Sequence, residues 1–182
     1  MDIPTLSQKF KVAEGLTAKL SADLGSLQNV ALEKISAKLE YKSGILVAAV
    51  QVDRNKDGNV TGTLSGALGE DGRKVEGNVV VDENGVKAYS AKGNLNIDNQ
   101  NKVSAGLSGG RDTQGTNITM EMVRDDGTVK QLNNVSYNTS TGVISASDSK
   151  EMEWLGGVYT SKIEHNGTEG SSTQNWKGNV TE

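Results

Sequence analysis

The chain reads as an all-β protein, an antiparallel meander of about ten to twelve strands. Three observations predict it. Asx-Gly signals recur at Asp57-Gly58, Asp71-Gly72, Asn84-Gly85 and Asp126-Gly127. Short hairpin turns need positive φ, which Gly adopts without cost and Asn or Asp tolerates better than most residues. The segments between these signals alternate apolar and polar residues, and the first three turns recur about every 13–14 residues. The only proline is Pro4, so nothing in the body of the chain blocks a strand ladder.

The elements follow in order. Leu16, Ala18, Leu20, Ala22 and Leu24 alternate with Thr17, Lys19, Ser21 and Asp23, bracketed by Gly15 and Gly25. This is the pattern of a half-covered strand. Leu16, Leu20, Leu24, Leu27 and Ala31 also make a helical stripe, so residues 16–31 fit either element, and residues 1–30 form a separable N-terminal segment on that reading. Ile35, Ala37, Leu39 and Tyr41 alternate next, and Lys42-Ser43-Gly44 reads as a turn. Ile45 to Val52 is apolar on both faces and is expected to be a central, buried strand.

Val60, Gly62, Leu64, Gly66 and Leu68 line one face of the following strand, and Val75, Gly77, Val79 and Val81 one face of the next. Val103, Ala105 and Leu107 follow, then Ile118, Met120 and Met122, then Val129, Val135 and Tyr137. Val158 is expected in a further strand with Trp154 and Gly156, and residues 166–182 as a last strand near Asn175 or a frayed tail. Small residues alternating with large ones on one face fit the taper of a small barrel. Closure as an up-and-down barrel also removes strand edges, so it is preferred to a sandwich or an extended sheet. Residues 1–182 are expected to form a single domain, since no linker or self-similar repeat stands out.

Composition narrows the function. Hydrophobic residues are 34% and aromatics 4%, so any core is thin and built from Val, Leu, Ile and Ala. The net charge of −4 and interspersed signs give no basic nucleic-acid face. The absence of cysteine removes disulfides and thiolate metal sites. No apolar stretch is long enough for a transmembrane helix. Met1-Asp2-Ile3-Pro4 has neither a charged nor an apolar signal region, which fits a chain made without a leader or one that starts on a mature fragment. The few scattered aromatics do not make the two girdles of an outer-membrane barrel, so no integral membrane insertion is expected.

Few residues carry chemistry. Asp53, Asn55 and Asp57, followed by Gly58, match the first half of a calcium loop, D-x-[DN]-x-[DN]-G. Its twelfth position is Leu64 rather than a bidentate Glu, so a plain hairpin turn is the simpler reading. His165 is the only histidine and stands at a strand end, too little for triad or zinc chemistry. Glu151 and Glu153, beside Trp154, have the spacing of paired carboxylates near a stacking platform, a spacing that any E-x-E on a strand also gives. Trp154, Tyr159 and Trp176 are the candidate ligand-binding surface, with carbohydrate as the candidate ligand.

The leading expectation is a non-enzymatic structural or surface-interaction protein without cofactors. Bacterial envelope or matrix material, or a virion component, would fit, at an extracellular or surface location. Its partners are proteins, or further copies of the chain, joined along sheet edges. One alternative is a barrel that holds a small apolar ligand against Met120 and Met122. Another is a carbohydrate-binding or glycoside-hydrolysing protein that uses Glu151, Glu153 and Trp154.

Overall fold

The computed structural model describes residues 5–25, 31–154 and 157–178. These form thirteen antiparallel strands, and hydrogen-bonded neighbours in the sheet follow chain order from first to last. The strands are β1 (Thr5–Ala13), β2 (Leu16–Leu24), β3 (Leu32–Ser43), β4 (Leu46–Asn55), β5 (Val60–Glu70), β6 (Arg73–Asp82) and β7 (Gly85–Asn96). They continue as β8 (Asn101–Gly110), β9 (Thr116–Asp125), β10 (Val129–Asn138), β11 (Ile144–Trp154), β12 (Gly157–Asn166) and β13 (Glu169–Gly178). The all-β meander is therefore the fold, with one strand more than the upper expectation.

The turn signals act as expected. Gly58, Gly72, Gly85 and Gly127 take φ of 85°, 86°, 102° and 85°. Gly72 also has no room for a side chain, because a Cβ there would lie 2.7 Å from Asn96 Nδ2. Residues 16–24 resolve as strand rather than helix. Thr5–Ala13 pairs with β2, and β2 with β3, so this N-terminal segment continues the sheet. Its pattern was obscured by Gln8, which interrupts Leu6, Phe10 and Val12, and by a register shift between Lys11 and Ala13. Trp154 and Val158 fall in different strands, because the hairpin between β11 and β12 reverses there and pairs Trp154 with Gly157. The tail is a strand as far as Gly178; residues 179–182 lie outside the described ones, as do residues 26–30 of the candidate helical stripe.

By contact the chain divides into two compact units. One comprises Met1–Glu70, Val75–Ala91 and Gly110–Asp112; the other comprises Asp71–Lys74, Lys92–Gly109 and Thr113–Glu182. In the first, register aligns Phe10, Ala18, Leu39, Val50 and Leu64 across β1–β5 on one face. One residue along, Lys9, Lys19, Lys38, Gln51 and Thr63 align on the other. In the second, Ala105, Met120, Val135 and Ala146 align across β8–β11. Ser104, Glu121, Asn134 and Ser147 align on the opposite face.

The expected buried core is not present. Among the described residues Ala49 is the one buried apolar side chain, at 6% exposure. The rest of residues 45–52 does not behave as a buried central strand: Ile45, Leu46, Val50 and Val52 are all exposed. The alternation that was taken to aim apolar residues at a core aims them outward. From β3 to β6 the polar face is the better covered of the two, whereas β1 is exposed on both faces and β2 is half-buried on both for most of its length.

Candidate functional site

The chemistry of this chain lies in that inversion. Along β3, Ile35, Ala37, Leu39 and Tyr41 are exposed, while Ser36, Lys38 and Glu40 between them are half-buried. Along β5, Leu64 is 57% exposed between the less exposed Thr63 and Ser65. A soluble sheet shows the opposite order. Period-2 alternation fixes which residues share a face, and the large apolar ones on that face form an exposed patch of the kind that lipid or a partner covers.

Strand length adds to this. The strands run from 9 to 12 residues. At about 3.3 Å per residue a nine-residue strand is about 30 Å long. Tilted by about 40° it spans about 23 Å, close to the apolar band of about 25 Å on a membrane barrel. In β2 the apolar face is Leu16, Ala18, Leu20, Ala22 and Leu24, with Leu20 the most exposed of them. Four of the described aromatics lie near strand ends, whereas Phe10 and Tyr89 stand in mid-strand. Tyr41, Tyr137, Tyr159 and Trp176 stand on the apolar face, each one or two residues from a strand end.

The apolar face is not uniform. Across β10–β13 it carries Asn133 with Asp148, and then Gln131, Lys150, Ser161 and Gln174. Gln131 Nε2 donates to Asp148 at 3.2 Å. Beyond this polar strip the face turns apolar again at Val129, Met152, Tyr159 and Trp176.

The polar face is organised by ion pairs and hollows. In the first unit Glu40 bridges Lys38 (2.8 Å) and Lys42 (3.2 Å), and Asp53 pairs with Lys34 at 3.3 Å. Arg111 donates to Asp82 at 2.8 Å and ties the end of β6 to the segment after β8. In the second unit two open hollows lie over β10–β13. One, of about 490 Å³, is lined by Asn134, Ser136, Ser147, Glu164, Asn166 and Glu169. The other, of about 570 Å³, includes Lys130, Ser149, Glu151, Thr160, Lys162 and Asn175. Hydroxyls, amides and charges of both signs fit water and small polar solutes rather than one shaped ligand.

The sequence-derived candidates disperse. Asp53 is held by Gln51 Nε2 (2.9 Å) and Lys34, Asn55 Oδ1 accepts the Asn59 N–H at 2.9 Å, and Asp57 sits in the exposed turn. No metal-binding group of three or more His, Cys, Asp or Glu side chains occurs among the described residues. Tyr159 and Trp176 do meet, as a directly opposed pair on β12 and β13, with Trp176 52% exposed. The backbone of Trp154 lies at the end of β11, and its side chain is outside the described residues. Glu151 pairs with Thr160 and Met152 with Tyr159, so register puts Glu151 and Glu153 on the face opposite Tyr159 and Trp176. Glu151 and Glu153 therefore do not share a face with those two rings. His165 is exposed on the apolar face between Ala146 and Gly170. Met120 and Met122, at 58% and 47% exposure, also stand on the open face, which is a poor lining for a closed calyx.

No helix among the described residues is long and apolar enough to cross a membrane. No protein-family model matches the chain, and no curated protein matches it. Solved structures do. Two engineered variants of the Rh. blastica porin superpose with TM-scores of 0.54 and 0.55 over 94% of this chain and 87% of theirs, each at 8% identity. A chain described by the words "asymmetric conductivity of engineered proteins" superposes at 0.54 over 93% of this chain and 86% of its own, again at 8% identity. At that identity the likeness is one of fold: an antiparallel meander laid out like a porin barrel.

Proposed function

We propose that this chain is a non-enzymatic β-barrel membrane protein of the outer-membrane type, with its apolar face against lipid and its polar face lining an aqueous interior. The observation that carries the reading is the inverted exposure of the strands, with Leu39, Val50 and Leu64 outward and Ser36, Lys38 and Thr63 sheltered. Lipid is the cover that such a face needs, because each large side chain removed from water is worth roughly 1.5–3 kcal/mol. Closed barrels satisfy every backbone group within the bilayer. Strand lengths, aromatics near strand ends and the porin-like fold support the reading. This reading departs from the sequence-derived expectation of no integral insertion, which rested on the small number and the scatter of the aromatics.

The test is flotation with lipid vesicles after an alkaline wash. The expected result is that the chain rises with the vesicles and migrates differently on gels before and after boiling, as a closed barrel does. Recovery of all of it in the aqueous fraction would overturn the proposal.

A second reading has its own observation. Asp148, Lys150, Ser161 and Gln174 on the apolar face of β11–β13 are poor lipid contacts. They support a structural or surface-interaction protein, of an envelope or a virion, whose apolar face is covered by protein. A water-soluble complex that hides Leu39 and Leu64 from labelling would favour it.

A further inference from the structure

On the polar face of the first unit, Lys9 stands directly opposite Lys19, and Lys19 directly opposite Lys38. Cross-strand neighbours lie about 5 Å apart at Cβ, and like charges placed so repel. Glu40 relieves Lys38 at 2.8 Å. Lys9 and Lys19 have no ion-pair partner among the described residues. The same face of β1–β3 carries Lys11, Lys34 and Lys42 as well, against Asp23 and Glu40. Asp23 is engaged elsewhere, accepting from Thr5 Oγ1 at 2.9 Å. The three opposed lysines lie near the middle of their strands.

We propose, resting on the membrane-barrel reading, that Lys9, Lys19 and Lys38 form a cationic strip at mid-height of the interior and make it prefer small anions over small cations. A solvated sheet face gains nothing from three adjacent ammonium groups. Where anions pass or dwell between them, their charge offsets the repulsion, and lining lysines are how pores favour anions. Lys9 and Lys19 are exposed and Lys38 is half-buried, and on the membrane-barrel reading this face meets water, through which counter-ions reach the strip.

The experiment measures the purified full chain in planar bilayers under a potassium chloride gradient, with vesicle flotation run beside it. Expected is a reversal potential on the chloride side. Lys9→Glu with Lys19→Glu lowers the chloride-to-potassium permeability ratio by about fivefold or more, the scale of one charge contact about 4 Å away in water. The neutral pair Lys9→Gln with Lys19→Gln falls between, and tells loss of charge from loss of folding. Potassium preference in the unmodified chain, or a ratio unmoved by both pairs, overturns the inference and leaves the membrane reading standing. Insertion without conductance does the same. Failure to insert overturns the membrane reading, and the inference with it.

Discussion

Asp98 gathers the β7–β8 turn around one carboxylate, and Asn101 supplies three of its four hydrogen bonds. Asp98 Oδ1 accepts the backbone N–H of Gln100 at 2.8 Å and that of Asn101 at 2.7 Å. The Asn101 side-chain amide donates to Oδ1 at 3.0 Å and to Oδ2 at 2.8 Å. The side-chain bond from Asn101, then the two backbone bonds, hold the carboxyl below its usual value of 3.8.

The sign of the resulting pH dependence follows. A carboxyl with a depressed folded value stabilises the fold above its unfolded value, and that contribution is lost as pH falls through 3.8 and on through the lower folded value. Asp98→Asn is expected to lower the urea midpoint near neutral pH and to leave it little changed in strong acid, where the native carboxyl is itself protonated. Parallel urea titrations at the two pH values check this. An equal loss at both would mean that the negative charge is irrelevant.

Leu64 and Thr63 are neighbours in β5 on opposite faces. If lipid covers the apolar face, Leu64→Lys costs about 2–4 kcal/mol and blocks insertion into vesicles, whereas Thr63→Lys is nearly silent. If water covers it, Leu64→Lys stays within about 0.5 kcal/mol. Comparing vesicle recovery and unfolding of the two variants separates the cases.

Gly15 and Gly44 both take positive φ, 70° and 53°. A Cβ at Gly44 meets nothing within 4 Å, whereas one at Gly15 would collide with the carbonyl oxygen of Lys42. That strand end cannot move freely, because the Lys42 N–H donates to Gly15 O at 2.8 Å. Gly44→Ala is expected to cost about 1–2 kcal/mol for the left-handed backbone alone. Gly15→Ala should exceed it by about 1–3 kcal/mol of overpacking. Unfolding midpoints of the two variants give the difference directly.

Calcium is expected to leave the melting temperature unchanged, and chelation likewise. Two of the three motif residues are already engaged: Asp53 by Lys34 and Gln51, and Asn55 by the Asn59 N–H. A rise in melting temperature with calcium that Asp57→Ala abolishes would show that the turn opens to a cation.

Much of the fold was legible because local chemistry dictates it. A glycine after Asp or Asn marks positive φ wherever it stands, and Leu16 to Leu24 alternates cleanly enough for strand geometry to prevail over its helical stripe. What could not be read was the medium on each side. Leu64 beside Thr63 writes the same two-residue period whether Leu64 meets a core, a lipid tail or a partner, so the pattern assigns faces and not surroundings. The aromatic candidates show the complementary limit. That Glu151 and Tyr159 occupy opposite faces depends on the register between β11 and β12, which no motif announces.

Among the described residues each ladder of the sheet joins strands that follow one another in the chain, so each of these ladders closes over a short loop. Order can therefore spread hairpin by hairpin from any starting point, without waiting for distant segments to meet. The same arrangement makes two strands and their turn the natural unit of gain or loss: excising β11 and β12 together would ask β10 and β13 to meet across the gap while leaving every other ladder as it was.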